Sequence, residues 1–208
     1  MGLNYNYLLY FPQDHVWEVL TRLGEICDTD GMQPTTIRFP DHDLILPLMS
    51  DWDEKDVIPY DKPEIEFAIS MIFKRDEAIV DYLHNRDGDQ FDRSPPEGGN
   101  VKTYSIGFIY LTVYTDLSHH HAFNKPNDLC LFEFGTTGTK MSFLFSDSSS
   151  IRKTFINLLE KNHGIAGIFD RENDYGELFW FNGRLLEFSI SKNYILPEEI
   201  EEELKRGW

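Results

Sequence analysis

The chain has 208 residues, of which 41% are hydrophobic and 26% are charged, and this composition is typical of a globular protein. Its 19 basic and 36 acidic residues give a formal charge of −17. Negative charge of this size argues against binding to nucleic acid or to an anionic membrane surface, because both favour a basic face. A basic protein partner, a cation or a merely solvated surface remains compatible with it.

Two cysteines, Cys27 and Cys130, are too few for a disulfide framework. The apolar runs are shorter than the ~20 residues that a membrane-spanning helix needs, and no signal-peptide pattern opens the sequence. We therefore expect a cytoplasmic protein. The sequence contains no cofactor motif, and no cofactor is expected.

The first half of the chain predicts several strands and two helices. The helix after Pro12 has one apolar stripe, formed by Val16, Leu20, Leu23 and Cys27. Strands are predicted at residues 5–11, 35–39, 44–49, 64–73 and 102–115. In the last of them, alternation places on one side Tyr104, Ile106, Phe108 and Tyr110. A short helix is predicted near residues 78–83.

Residues 129–134 and 141–145 both alternate with a period of two, which predicts a hairpin closed by a short glycine-containing loop. Gly135–Lys140 reads GTTGTK and superficially resembles a phosphate-binding loop. It lacks the full spacing of that motif, and here it is predicted to join two strands rather than a strand and a helix. We therefore interpret this segment as the loop of a β-hairpin.

The remaining stretch has clear start and stop signals. Ser148 is a residue type that caps helices, and Asn-Gly suits the positive φ angles of a type I′ hairpin turn. These signals predict a helix from Ser148 to Asn162, a strand at 165–169, a hairpin turning at Asn182-Gly183 and a helix from Pro197 to Arg206.

Together these elements predict an α+β fold, with a mostly antiparallel β-sheet packed against two main helices. Residues 1–208 are expected to form a single domain, or two similar lobes. The boundary between such lobes would lie in the loop at residues 87–101, which is rich in glycine, proline and aspartate.

The segment Ser50–Pro63 is acidic and bounded by proline, so it is predicted to be a surface loop. An exposed aromatic ring among carboxylates fits a protein-binding hot spot, and the alternative is that the Trp52 ring is tucked in and pins the loop. The candidate binding residues are therefore Asp51, Trp52, Asp53, Glu54 and Asp56.

Three consecutive histidines form the candidate metal site. In an extended backbone His119 and His121 point to the same side, and paired imidazoles are a common start for a zinc site. The alternative is a solvated histidine run.

Three further motifs are weaker. Asp41-His42-Asp43 combines a histidine with carboxylates, which suits acid–base chemistry, but its place at a predicted turn favours turn chemistry. Asn85, Asp87 and Asp89 have the spacing of a calcium loop, as do Asp170, Glu172 and Asp174. Both lack the required glycine and the closing glutamate.

Three functions follow as hypotheses. The first is a non-enzymatic acidic module that docks a basic protein partner, in the manner of an inhibitor or an immunity protein, through residues 51–61. The second is a metal-dependent hydrolase that uses His119 and His121. The third is a small-ligand-binding domain with an aromatic cleft.

Overall fold

The computed structural model describes residues 2–30, 33–50, 57–84, 102–123 and 127–207. The strands in this part of the chain are β1 (Asn6–Pro12), β2 (Thr35–Arg38), β3 (Asp43–Leu46), β4 (Met49–Ser50), β5 (Val57–Pro59), β6 (Glu64–Lys74), β7 (Thr103–Tyr114), β8 (Leu129–Gly135), β9 (Ala166–Asp170), β10 (Gly176–Phe181) and β11 (Arg184–Ile190). The helices are α1 (Val16–Gly24), α2 (Glu77–His84), α3 (Thr139–Asp147), α4 (Ser149–Lys161) and α5 (Pro197–Arg206). None of these helices is long and apolar enough to cross a membrane.

Eight of the described strands form one sheet in the order β11-β10-β9-β1-β8-β7-β6-β4, and neighbouring strands pair antiparallel throughout. The prediction of an α+β fold with a mostly antiparallel sheet is confirmed. The layout is similar on either side of the central β1–β8 pair, but the chain runs outward from β9 to β11 on one side and inward from β4 to β7 on the other. The segment between β6 and β7 includes the predicted boundary at 87–101, which lies outside the described residues.

The sheet is packed on both faces near its centre. Its first face lies under α1 to α4 and buries the larger apolar cluster, which includes Tyr7, Leu9, Phe11, Phe132, Phe145 and Phe155. Its second face is covered over β1 and β8 to β11 by residues 117–123 and 191–207, which we call the covering layer. The cluster beneath this layer includes Leu8, Tyr10, Leu131, Ile168, Ile195 and Ile200.

A smaller sheet in the order β3-β2-β5 packs against the same apolar cluster as the first face, through Ile37, Leu46 and Ile58. Its β2–β3 pair is antiparallel, whereas β2 and β5 pair in parallel. The segment at 50–63, which was predicted to be a loop, therefore contains the end of β4 and the whole of β5.

Local turn and cap signals are confirmed by the structure. Asn182 and Gly183 have φ angles of 46° and 79° and join β10 to β11, as a type I′ turn requires. The Ser148 side chain accepts a hydrogen bond from the backbone N–H of Ile151 at 3.1 Å and caps α4.

The predicted hairpin of residues 129–145 is wrong, because only its first half is a strand. Residues 139–147 form α3, in which the inward-facing residues are Met141, Leu144 and Phe145, while Phe143 is 51% exposed. The spacing of three and four between the buried residues is helical. The alternation of Met141, Phe143 and Phe145 was consistent with a strand. The prediction left out Leu144, which lies with Met141 and Phe145 on the buried side of the helix.

The predicted alternation along β7 is wrong beyond Ile106. Tyr104 and Ile106 are buried, but Phe108 and Tyr110 are 51% and 46% exposed on the opposite side. The register between β6 and β7 shifts between Ile69 and Met71, where β7 has one extra residue. An extra residue of this kind exchanges the two faces of a strand.

Cys27 does not belong to α1, which ends at Gly24. It lies beside β6, paired with Met71, and is buried. Cys130 is buried on β8 in phase with Phe132 and Phe134, as predicted. Burial raises the pKa of both thiols to about 12, so they remain protonated and weakly reactive near neutral pH.

Candidate functional site

The five predicted binding residues, at positions 51, 52, 53, 54 and 56, lie outside the described residues. Their chain neighbours are placed, since β4 precedes them in the large sheet and β5 follows them in the small one. The described side chains that follow this segment in the chain belong to the small sheet that β5 joins.

Three aromatic rings stack at the end of this small sheet, and we call them the aromatic row: Phe39, His42 and Tyr60. The Phe39 ring lies 4.5 Å from His42 at an interplanar angle of 7°, and 5.2 Å from Tyr60 at 23°. Trp17 from α1 meets Phe39 edge-on at 5.2 Å. Tyr60 is 40% exposed and His42 is exposed, so the row presents ring surface to solvent.

The backbone explains why three residues from separate strand ends meet. The Phe39 N–H donates to the His42 carbonyl at 2.9 Å and closes the β2–β3 turn. The Tyr60 N–H donates to the Arg38 carbonyl at 3.1 Å, which extends the parallel β2–β5 pairing by one bond. Both rings are therefore held against Phe39 by strand pairing, and little ordering is needed before they contact a partner.

Carboxylates flank the aromatic row. The Asp41 Oδ1 lies 2.8 Å from His42 Nδ1, and this hydrogen bond lowers the pKa of Asp41. Asp43 instead accepts two bonds from the Arg38 guanidinium, at 3.1 and 3.2 Å, which lower its own pKa. The two carboxylates of the Asp41-His42-Asp43 motif therefore have different partners, because Asp41 bonds to His42 and Asp43 bonds to Arg38. The charge of Asp43 is balanced by Arg38, so the carboxylates left beside the rings are Asp41, bonded to His42, and the exposed Asp61, which follows Tyr60 in the chain.

The predicted metal pair is only partly described, because the structure places the backbone of His119 but not its side chain. His121 is exposed and stacks on His120 at 4.4 Å. Within the described ranges, no three histidine, cysteine or acidic side chains are grouped so that they could hold a metal ion. The metal site on His119 and His121 stays a prediction.

His120, the residue between the predicted ligands, has a structural role. It is 2% exposed, and its Nδ1 accepts the Ala122 N–H at 3.1 Å, which places the proton of the neutral ring on Nε2. Among the described residues, Nε2 has no hydrogen-bond partner. Burial, aided by His121, lowers the pKa of His120 to about 4, so the ring is neutral near pH 7.

His120 belongs to a polar cluster with Tyr114, Glu133 and Tyr194 on the second face of the sheet. The His120 ring lies 4.4 Å from Tyr114 and 4.8 Å from Tyr194. The Tyr194 hydroxyl donates to Glu133 Oε1 at 3.0 Å. Burial raises the pKa of Glu133 and exceeds the opposing effect of the Tyr194 bond. The sequence offered one signal for this cluster, since Glu133 alternates in phase with Leu129 and Leu131 on a strand.

The Gly135–Lys140 loop joins β8 to α3, so the prediction that it joins two strands is wrong. Its polar atoms are used by the beginning of the chain. Thr136 Oγ1 accepts the Tyr5 N–H at 3.0 Å, and Thr139 Oγ1 accepts the Leu3 N–H at 3.0 Å. The loop therefore anchors the chain's own N-terminal residues.

Of the two segments with the spacing of a calcium loop, residues 170–174 are among those that the structure describes. Asp170 Oδ1 accepts the Glu172 N–H at 2.7 Å and so closes a turn, and residues 85–89 lie outside the described ranges. Turn closure by an aspartate side chain needs no ion.

A groove of about 300 Å³ lies between the β9–β10 turn and the outer strands. Its lining combines rings with charged groups, namely Phe169, Arg171, Tyr175, Glu177, Glu187 and Phe188. Glu177 is paired with both Arg152 and Arg171, and the Arg171 guanidinium lies 5.2 Å from the centre of the Phe169 ring. Sequence reasoning missed this groove, because its residues come from separate strands.

Comparisons of the chain with protein-family models, curated proteins and solved structures found no match.

Proposed function

We propose that the protein is a non-enzymatic binding module that docks a basic protein partner, in the manner of an inhibitor or an immunity protein. The observation that carries this proposal is the aromatic row, an exposed and preorganised stack of rings with carboxylates beside it. The acidic segment 51–56 directly precedes β5 in the chain. The net charge of −17 would speed the approach of a basic partner.

The chemistry of the row favours arginine over lysine in that partner. A guanidinium is planar, so it can stack on the exposed ring of Tyr60 while its N–H groups donate to a neighbouring carboxylate such as Asp61. A lysine ammonium has no plane to stack and is held more strongly by water. We therefore expect an arginine-rich segment of the partner to occupy this surface.

Binding of a fluorescent hexa-arginine peptide, followed by anisotropy at low salt, tests the proposal. Replacing Asp51, Asp53, Glu54 and Asp56 by amides should weaken binding at least about tenfold, because four charge contacts are lost. The matched control makes the same change in charge at the exposed acids Glu25, Glu160, Asp174 and Glu187. Equal losses in the two variants would show only a general charge effect and would overturn the proposal.

A single ring provides the second arm of the test. Tyr60→Ala removes one face of the row and should weaken hexa-arginine binding about fivefold while changing hexa-lysine binding less. Tyr175→Ala, another exposed tyrosine far along the chain in the groove, serves as its control. Unchanged binding by Tyr60→Ala would exclude the aromatic row as the contact.

The proposed location is the cytoplasm. Both cysteines are free and buried, which fits a reducing compartment. The proposal assigns no role to nucleic acid, to a membrane surface or to a cofactor.

The groove supports a second candidate function, the binding of a small ligand. Its single arginine, its two glutamates and its aromatic walls suit a flat molecule that carries both an acidic and a basic group. A thermal-shift screen of metabolites tests this, because a ligand that binds only the native state raises the melting temperature. A shift that persists in Arg171→Ala would exclude this groove.

A further inference from the structure

Half of the sheet's second face lies beyond the covering layer, and we call it the open face. β6 contributes the alternate residues on this side, namely Glu64, Glu66, Ala68, Ser70, Ile72 and Lys74. β7 contributes Phe108 and Tyr110, because the register shift turns them outward. Ile72, Phe108 and Tyr110 are 40%, 51% and 46% exposed. Adjacent exposed apolar side chains on one face of a sheet are typical of an interaction surface.

The charges on the open face are separated along the strand. Glu64 and Glu66 lie at the start of β6 and Lys74 at its end, all of them exposed. At about 3.3 Å per residue, Glu66 and Lys74 are roughly 26 Å apart. The apolar side chains lie between them. Along β6 the open face is therefore acidic at the start of the strand, apolar in the middle and basic at the end.

We propose that two copies of the chain associate through their open faces, with β6 of one copy antiparallel to β6 of the other. The two-fold axis lies between the sheets and runs across the strands. This operation places Glu66 of each copy over Lys74 of the other, so that both ends of the contact are complementary. Phe108 and Tyr110 of both copies fill the centre, between sheets about 10 Å apart.

The order of charges selects a second copy over a basic partner. A uniformly basic surface would meet Lys74 with like charge at one end of the face, whereas a reversed copy meets it with Glu66. The parallel arrangement of two copies is excluded for the same reason, because it places Glu66 over Glu66. Each copy carries −17, so physiological salt assists association by screening the repulsion between the remaining charges.

Sedimentation velocity at physiological salt, from about 5 to about 300 µM, covers the affinities of weak dimers. The wild-type mass should rise towards twice that of the monomer across this range. Phe108→Arg should remain monomeric, because it brings two cations together at the centre. Phe143→Arg is its control, since Phe143 is equally exposed at 51% but lies on α3. A wild-type protein that stays monomeric, or an unaffected Phe108→Arg dimer, would overturn the proposal.

Charge reversal tests the orientation. Lys74→Glu alone and Glu66→Lys alone should each weaken the dimer at least about fivefold, since each places like charges together at both ends. A mixture of the two variants should associate again, because every pair in the mixed dimer has opposite signs. If the mixture stays monomeric while each variant is folded by circular dichroism, the antiparallel arrangement is wrong. Tyr60→Ala should leave the dimer unchanged, so this proposal and the proposed function fail independently.

Discussion

The two halves of the sheet's second face belong to the same surface and yet have opposite properties. Over β1 and β9 this face is apolar, and the covering layer buries Leu8, Tyr10 and Ile168 completely. Over β6 and β7 it carries Glu66, Ser70 and exposed rings instead. The strands themselves encode the difference, since β1 is apolar in both phases whereas β6 alternates.

This difference shows how the apolar pattern of each strand decides whether one or both of its faces must be covered. A strand that is apolar in both phases requires cover on both faces, and the last 17 described residues, 191–207, together with residues 117–123, provide that cover here. An alternating strand requires cover on one face only, and its other face is free to carry charge in a pattern that another molecule can match. Stability and recognition are therefore expected to separate cleanly between the two halves.

The largest expected effect is in the covered half. Ile200 on α5 is fully buried, so Ile200→Ala should lower the free energy of unfolding by about 3 kcal/mol through lost burial and a cavity. In the open half, Ile72→Ala should cost less than about 1 kcal/mol, because Ile72 is 40% exposed. Urea denaturation of both variants measures the comparison. Similar losses would show that the open half is covered in solution.

The polar cluster should give a pH-dependent effect at the edge of the covered half. The pKa of His120 is about 4 in the native protein and 6.5 in an ordinary setting, so protons favour the unfolded state as the pH falls below 6.5. Stability should therefore decline from pH 6.5 to pH 4. This decline should be shallower in His120→Phe, as measured by urea denaturation across that range. A constant difference between the two proteins would contradict a buried neutral His120.

Glu133 should give a smaller effect of opposite sign. Burial raises its pKa in the native state, so its charged form destabilises the fold at neutral pH, and the penalty disappears as the pH falls through that pKa. Glu133→Gln keeps an acceptor for the Tyr194 hydroxyl and should raise stability at pH 7 but not at pH 4. Glu66→Gln, on the open face, should change stability by less than about 0.5 kcal/mol at either pH. A destabilised Glu133→Gln at pH 7 would contradict this reading of the cluster.

Local signals in the sequence were sufficient for much of the fold. The Asn182-Gly183 turn, the Ser148 cap and the alternation of β6 each depend on residues close in the chain, and each is confirmed. The prediction of a strand at residues 141–145 was wrong, because alternation over five residues does not distinguish a strand from a helix when both phases contain apolar residues. The register shift in β7 could not be predicted, since it arises from pairing with β6.

The site was less predictable than the fold for the same reason. The aromatic row brings together Phe39, His42 and Tyr60 through the parallel β2–β5 pairing, and no local pattern predicts which strands will pair. The polar cluster likewise joins Glu133 to Tyr194 across 61 positions of sequence. Only the in-phase carboxylate at Glu133 could have indicated a buried polar site. The residues at 51–56 and the pair His119 and His121 stay predictions.

The central place of β1 has a consequence for synthesis on the ribosome. Leu8 pairs with Glu133 on one side and with Ile168 on the other, so β1 is hydrogen-bonded to strands that emerge long after it. β1 can pair with β8 once residue 135 has been made, but it has both of its neighbours only when the chain reaches Asp170. Contacts so distant in sequence slow folding, and the nascent first half is the stage at which a chaperone would be most useful.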